Sequence, residues 1–287
     1  MRQEFKIKNV KLDFPDVKSF TTSPWFCQLI FVIYRTLVAL YVTTWSVLGG
    51  VMRLDQGALW FIFLTNWSYT ILNIHFILGA CLPAYHYYKC SPGAASSKII
   101  ATDSNANDEP ANHVQLELED PCAVNTKLTT LPQNSRMFIL ACKVSWVVFN
   151  IAANVAPLVT FMYWGFNYVP GQYVDSSNIN AHALNCVLMF ADVMLSNLPV
   201  RVLHVIYALV CGFAYVTFTV IYWAAGGVNH EGNSYIYSAL DYTGSPGMAA
   251  TMAVLFVLLA QPLSHLLLYG LYCFRDWLVK RSTRAIE

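Results

Sequence analysis

The chain has 287 residues, of which 56% are hydrophobic and only 11% charged. A soluble domain carries about a quarter of its residues as charged side chains, so most of this length belongs to membrane spans and leaves no room for a soluble domain of ordinary size. The net charge of +1 selects no class of partner; membrane lipids are the expected surroundings, and nothing in the composition points to nucleic acid.

The first residues, "MRQEFKIKNVKLDFPDVKSF", are charged and lack an apolar core, which excludes a cleaved signal peptide there. Arg2 excludes N-myristoylation. Six apolar runs then reach the roughly 20 residues that a helical span needs, over 26–49, 59–82, 137–161, 181–200, 202–224 and 248–273. The fold class is all-α, a polytopic membrane protein with a six-helix transmembrane bundle. Residues 1–25 form an N-terminal arm and 274–287 a basic tail. The segment 91–135 is polar and rich in Pro, Ser and Asn, without helical or strand period, and reads as a disordered loop. "LPVR" separates the fourth and fifth runs, and Pro199 suits a tight turn there.

Charge sets the orientation. Lysines and arginines of the arm, of the 91–135 region and its flanks, of Arg201 and of the tail lie on one side, and Arg53 alone on the other. The positive-inside rule puts both termini in the cytoplasm. The absence of a retention signal favours the plasma membrane over the endoplasmic reticulum. Eight cysteines invite disulfides, but they fall mostly in or beside apolar runs. No C-x-x-C pair or zinc spacing is present, so they read as small apolar residues. Cys27, Cys90 and Cys273, near span edges, are candidates for palmitoylation.

On a helical wheel the polar residues gather on one side of four helices. In the first, Gln28, Arg35 and Ser46 share a face. In "FLTNWSYTILNIHFILG", the polar arc holds Thr65, Asn66, Ser68, Tyr69, Asn73 and His75, opposite Phe63, Trp67, Ile71, Ile74 and Leu78. In the third, Lys143, Asn150 and Asn154 align. In the fourth, His182, Asn185, Met189, Asp192 and Ser196 do. Such stripes predict a bundle with a polar interior. At about 1.5 Å of rise per residue, Arg35, Lys143 and Asp192 fall near mid-membrane. A lone charge there costs at least about 2.5–3.5 kcal/mol, so Asp192 is expected to meet Lys143 or Arg35. That cluster is either an ion pair that sets helix register or a site for a substrate head group or proton.

Thr65, about two turns from the outer end of the second run, and His182, within a turn of the outer end of the fourth, both fall in the outer half. A hydroxyl and an imidazole are the parts of a nucleophile and its base. Asn66, Asn73 and Asn185 are candidate donors to an oxyanion. Neither H-E-x-x-H nor a glycine-rich phosphate loop occurs, so no metal or nucleotide cofactor is expected.

"WFIFLTNWSYTILNIHF", "NINAHALNCVLMFADVML" and "SYIYSALDYTGSPGMA" together resemble the rolling stone family, across nearly the whole chain apart from 91–135. Rolling stone proteins are multi-pass membrane proteins associated with myoblast fusion. Their wider superfamily includes the androgen-induced membrane proteins, which resemble intramembrane threonine hydrolases of fatty acid esters of hydroxy fatty acids. The resemblance implies that Thr65 in "FLTNW" is the nucleophile and His182 in "NAHALN" the base. Asn66 and Trp67 after the threonine, and the 91–135 insertion, depart from the hydrolase branch. Two functions stay open. One is a lipid ester hydrolase. The other is a non-enzymatic factor in cell fusion or adhesion, whose partner would meet outer loop 225–247. Mid-membrane charges also suit a transporter, but the chain lacks an internal repeat and paired broken helices.

Overall fold

The computed structural model describes residues 5–14, 16–90 and 136–284, excluding the side chain of Cys90. The expected disordered loop lies outside the described residues. The described part is helical, with six main elements: α1 (Gln28–Val51), α2 (Leu64–Cys90), α3 (Arg136–Asn167), α4 (Ser176–Leu195), α5 (Val202–Ala224) and α6 (Pro246–Arg284). Five of them are long and apolar enough to cross a membrane. A sixth span is reached if α2 is taken together with the short helix Leu54–Ile62, which lies at 87° to it.

The helix ends follow local chemistry. The Asp175 carboxylate caps α4 by accepting from the Asn178 N–H at 2.7 Å. Pro246 opens α6 where its missing N–H costs nothing. After α5, Gly226 takes φ +78° and its N–H reaches back to the Trp223 carbonyl. α4 stops at Leu195, before the Ser-Asn-Leu-Pro stretch that sequence assigned to its last turn. Ser196 is already extended, and Arg275 of α6 receives the freed carbonyls. Its Nη1 donates to Val193 O and Leu198 O, each at 3.1 Å, and to Ser196 O. Arg275, expected to open a basic tail, is therefore a buried capping side chain, and α6 continues to Arg284.

The second run departs most from expectation. Helix was expected to pass from 59 through 82 without a break. Instead Gly57 adopts φ +53° and Phe63 is extended, so the chain turns and α2 starts at Leu64. A corner in an apolar bundle strands backbone carbonyls that a straight helix would pair. Here three successive ones are met by side chains: Trp60 O by the Asn66 amide, Phe61 O by the Trp67 indole at 2.7 Å and Ile62 O by the Tyr215 hydroxyl at 2.9 Å.

The apolar core lies between α2, α3 and α4, with Leu72, Phe76, Trp146, Phe149, Met189 and Val193 buried. Ala152, Ala153 and Ala156 keep the buried face of α3 flat enough for close helix approach. The N-terminal arm docks at one end of the bundle. Arg201 donates to Lys11 O at 2.9 Å, Tyr207 donates to Val10 O at 2.7 Å, and Phe14 packs edge-on against Phe20 and Trp146.

Cys27 is disulfide-bonded to a partner outside the described side chains, whereas Cys81, Cys142, Cys186, Cys211 and Cys273 are free. Reading every cysteine as a small apolar residue thus fails at Cys27. Spacing motifs detect local pairs, and this one closes across chain segments.

Arg275→Met should lower the thermal midpoint of the purified protein. Each buried carbonyl left without a donor costs about 1–3 kcal/mol. Arg275→Lys, which keeps the charge but not the planar fork, should fall between the two. An unchanged midpoint for Arg275→Met would show that α4 needs no such cap.

Candidate functional site

Three polar groups are brought together in the centre of the bundle. Arg35 Nη1 lies 2.6 Å from one Asp192 oxygen and His75 Nε2 lies 2.9 Å from the other, with all three side chains at 0–1% exposure. Arg35 also sits over the Phe31 ring at 5.1 Å. A Cβ at Gly79 would come within 2.7 Å of Arg35 Nη1, so that glycine makes room for the guanidinium. Two corrections follow. Lys143 has no part in this ion-pair cluster; it is half-buried and forms no ion pair among the described residues. Its place is taken by His75, which was read only as one member of the α2 arc. Wheel positions rank residues by direction, not by which neighbouring helix they meet.

Thr65 and His182 border two adjoining cavities. One, of about 250 Å3, has a polar wall that includes Ser46, Arg53, Asn66, Ser177 and Asn178. The other, of about 100 Å3, is lined by Leu64, Val159, Met162, Phe166, Val216 and Phe256. Both also share Tyr163, Asn167 and Tyr237. Thr65 and His182 make no hydrogen bond to each other. His182 is 8% exposed and stacks on Tyr163 with ring centroids 3.9 Å apart. Its main-chain carbonyl accepts from the Trp164 indole at 2.8 Å. Its Nδ1 is buried without a hydrogen-bond partner among the described residues.

The bend shapes Thr65's surroundings. Because α2 begins at Leu64, Thr65 sits in its first turn and not two turns deep. The Leu64 N–H is shared by the hydroxyls of Tyr215 and Tyr237, each at 3.0 Å. Tyr237 lines both cavities together with Thr65. Burial raises the Tyr237 pKa, while the neighbouring Tyr215 hydroxyl and the Leu64 N–H pull it back. Tyr237 lies in the loop between α5 and α6, where no periodicity marks which side chain turns inward, and sequence reasoning missed it.

The three asparagines separate. Asn66 lines the polar cavity, although its amide is engaged at Trp60 O. Asn73 accepts from Thr43 at 2.8 Å and ties α2 to α1. Asn185 accepts from Thr160 at 2.9 Å and ties α4 to α3. Neither Asn73 nor Asn185 borders the cavities, so their assignment as oxyanion donors at Thr65 is corrected: each is drawn to a hydroxyl on the neighbouring helix.

A family model described as Protein rolling stone matches residues 133–285, just over half of the chain. The chain belongs to the rolling stone family. It is 23% identical over 248 residues to Protein rolling stone of Drosophila melanogaster, spanning 85% of this chain and 77% of that protein. No solved structure matches it. Family membership and the apolar helices together make this rolling stone family member an integral membrane protein.

Asp192→Asn should destabilise the fold by about 3–5 kcal/mol, because it leaves Arg35 buried without a counter-charge. The double substitution Arg35→Met/Asp192→Leu should recover much of that loss. Thermal midpoints of the three variants in one detergent check this, and a double variant no better than Asp192→Asn would contradict it.

Proposed function

We propose that the protein hydrolyses a lipid ester, a fatty acid ester of a hydroxy fatty acid or a similar compound, with Thr65 as nucleophile and His182 as base. The observation that carries the reading is the shared position of these two side chains at the junction of a polar and an apolar cavity, with His182 Nδ1 buried and unpartnered. In the tautomer that leaves this nitrogen unprotonated the imidazole can take the Thr65 proton, and hydrogen bonds at an empty site are often formed only with substrate. Thr65 Oγ attacks the ester carbonyl carbon and its proton passes to His182. The carbonyl pair moves onto oxygen, where we assign the Tyr237 hydroxyl, on the wall of both cavities with Thr65, as donor. Collapse expels the alcohol, which takes the proton from His182, and water then releases the acid from Thr65 by the same route.

Purified protein should turn over a fluorogenic long-chain ester. Thr65→Ala and His182→Ala should each lower kcat by about 100-fold or more, and Tyr237→Phe by about 10–100-fold. If wild type is silent on a panel that includes branched fatty esters, the reading is wrong. The alternative, a non-enzymatic fusion or adhesion factor, then gains. Its surface would be the outer loop, where Val228 is 44% exposed while Ile236 and Asn229 are buried.

We further infer six spans in the plasma membrane, with Leu54–Ile62 lying along the outer face and both termini in the cytoplasm. Fourteen of seventeen lysines and arginines fall on that inner side. The disulfide at Cys27 is on the same side and pulls the other way, because disulfides persist in oxidising compartments. Glycosylation tags decide the matter: an acceptor inserted at Gly171 should be modified and one at the N-terminus should not. The opposite pattern would open the cavities to the cytoplasm.

A further inference from the structure

The polar cavity has an uncompensated charge. Among the described residues, Arg53 is the only permanently charged side chain on its wall, and no aspartate or glutamate lines it. Among the described residues Arg53 forms no ion pair. Asp55, near it in sequence, is exposed and off the wall, and Asp175 is committed to capping α4. A half-buried guanidinium beside a cavity is completed by an anion, which it binds through charge-assisted hydrogen bonds, often two at once.

Two further residues on the wall carry a buried polar atom without a partner among the described residues. Tyr69 is 8% exposed, lines the cavity one helical turn below Thr65 and has an unpartnered hydroxyl. His182 Nδ1 is the second. Buried polar atoms in native folds are almost always paired, and the two residues that carry these line the cavity. The Ser177 and Asn178 side chains on the wall belong to the first turn of α4, whose backbone dipole adds a field favourable to negative charge.

The adjoining apolar cavity has the opposite character. Apart from Thr65, Asn167 and His182 its side chains are aliphatic and aromatic, and Phe166 on its wall is 59% exposed, which leaves a lateral way out for a chain longer than the cavity. A polar chamber with one cation, sharing a wall with an apolar one, suits a molecule with one anionic end and one alkyl chain.

We propose that the two cavities form a single binding site for a single-chain amphiphile whose anionic group, a carboxylate or a phosphate monoester, is held by Arg53. The head lies between Arg53 and the Tyr69 hydroxyl. The alkyl chain passes between Thr65 and His182 into the apolar cavity. The proposal deepens the hydrolase reading, from which it takes only the position of the bond to be cleaved; binding itself needs no catalysis.

The test is therefore made on Thr65→Ala protein in phosphatidylcholine nanodiscs, titrated with octanoate, octyl phosphate and octanol while tryptophan fluorescence is followed. At least one anion should bind about tenfold more tightly than octanol. Arg53→Gln should bring the anions down to the octanol affinity and leave octanol unchanged. Val216→Trp, which fills the apolar cavity, should weaken all three alike. A preference for octanoate points to fatty acids as the source, and a preference for octyl phosphate to lysophospholipid head groups. Equal binding of anions and octanol by the Arg53-containing protein, or an anion preference that survives Arg53→Gln, overturns the proposal. Absence of ester turnover in wild type with the Arg53-dependent preference intact would remove the hydrolase reading alone.

Discussion

The bundle depends on how it buries Arg35 and Asp192. In a medium that cannot solvate them, each charge needs the other, and His75 takes the second carboxylate oxygen. This contact ties α1, α2 and α4 at one level. It also sets the register between the two helices that carry the candidate site. Thr65 lies ten residues before His75 on α2, and His182 lies ten residues before Asp192 on α4. With both helices running the same way, that equal spacing brings Thr65 and His182 to one height, about 15 Å from the ion pair. A slip of one turn at Asp192 would separate them by about 5 Å. The charged centre thus has a mechanical role in the site without facing it.

The density of polar groups in "FLTNWSYTILNIHF" has several causes. Asn66 and Trp67 serve the corner before α2, Asn73 ties α2 to Thr43, and His75 completes the charged centre. These assignments account for four of the residues on structural grounds. Thr65, Ser68 and Tyr69 remain, and of these Thr65 and Tyr69, one turn apart, line the polar cavity. Polarity in an apolar helix therefore marks buried partners first. The chemical candidates are the groups left over once those partners are counted.

Much of the helical framework was legible in the sequence because burial in lipid demands long apolar runs and gathers polar side chains on inward faces. The Arg35–Asp192 pairing was legible for the same reason: opposite charges at one depth have few other partners. The corner at Phe63 was not. "ALWFIFL" is apolar throughout, and only Gly57 hints that the backbone turns. The roles of Arg275 and Tyr237 were hidden differently. Each acts on an element far away in the chain, Arg275 on the end of α4 and Tyr237 on the start of α2. No local period carries such information. Asn73, Asn185 and Lys143 show the converse, since the right face of a helix was read correctly while the partner across it was not.

Helical wheels also assume an even 3.6 residues per turn, and the region around the cavities breaks that rule. Among the described residues three π turns occur, at Tyr163–Asn167, Asn180–Leu184 and Phe256–Ala260. Each supplies a residue to a cavity wall: Tyr163 and Asn167, His182, and Phe256. A π turn inserts one residue, widens the helix locally and re-aims the side chains beside it. At the charged centre the helices have regular turns and no residue to spare. Towards the cavity end of three helices an extra residue is accommodated, and there space opens. The His182 ring reaches its stack on Tyr163 from one such turn to another. A bundle optimised for packing alone has no reason to place all three irregular turns around one cavity, whereas a site that must admit a ligand between close-packed helices does.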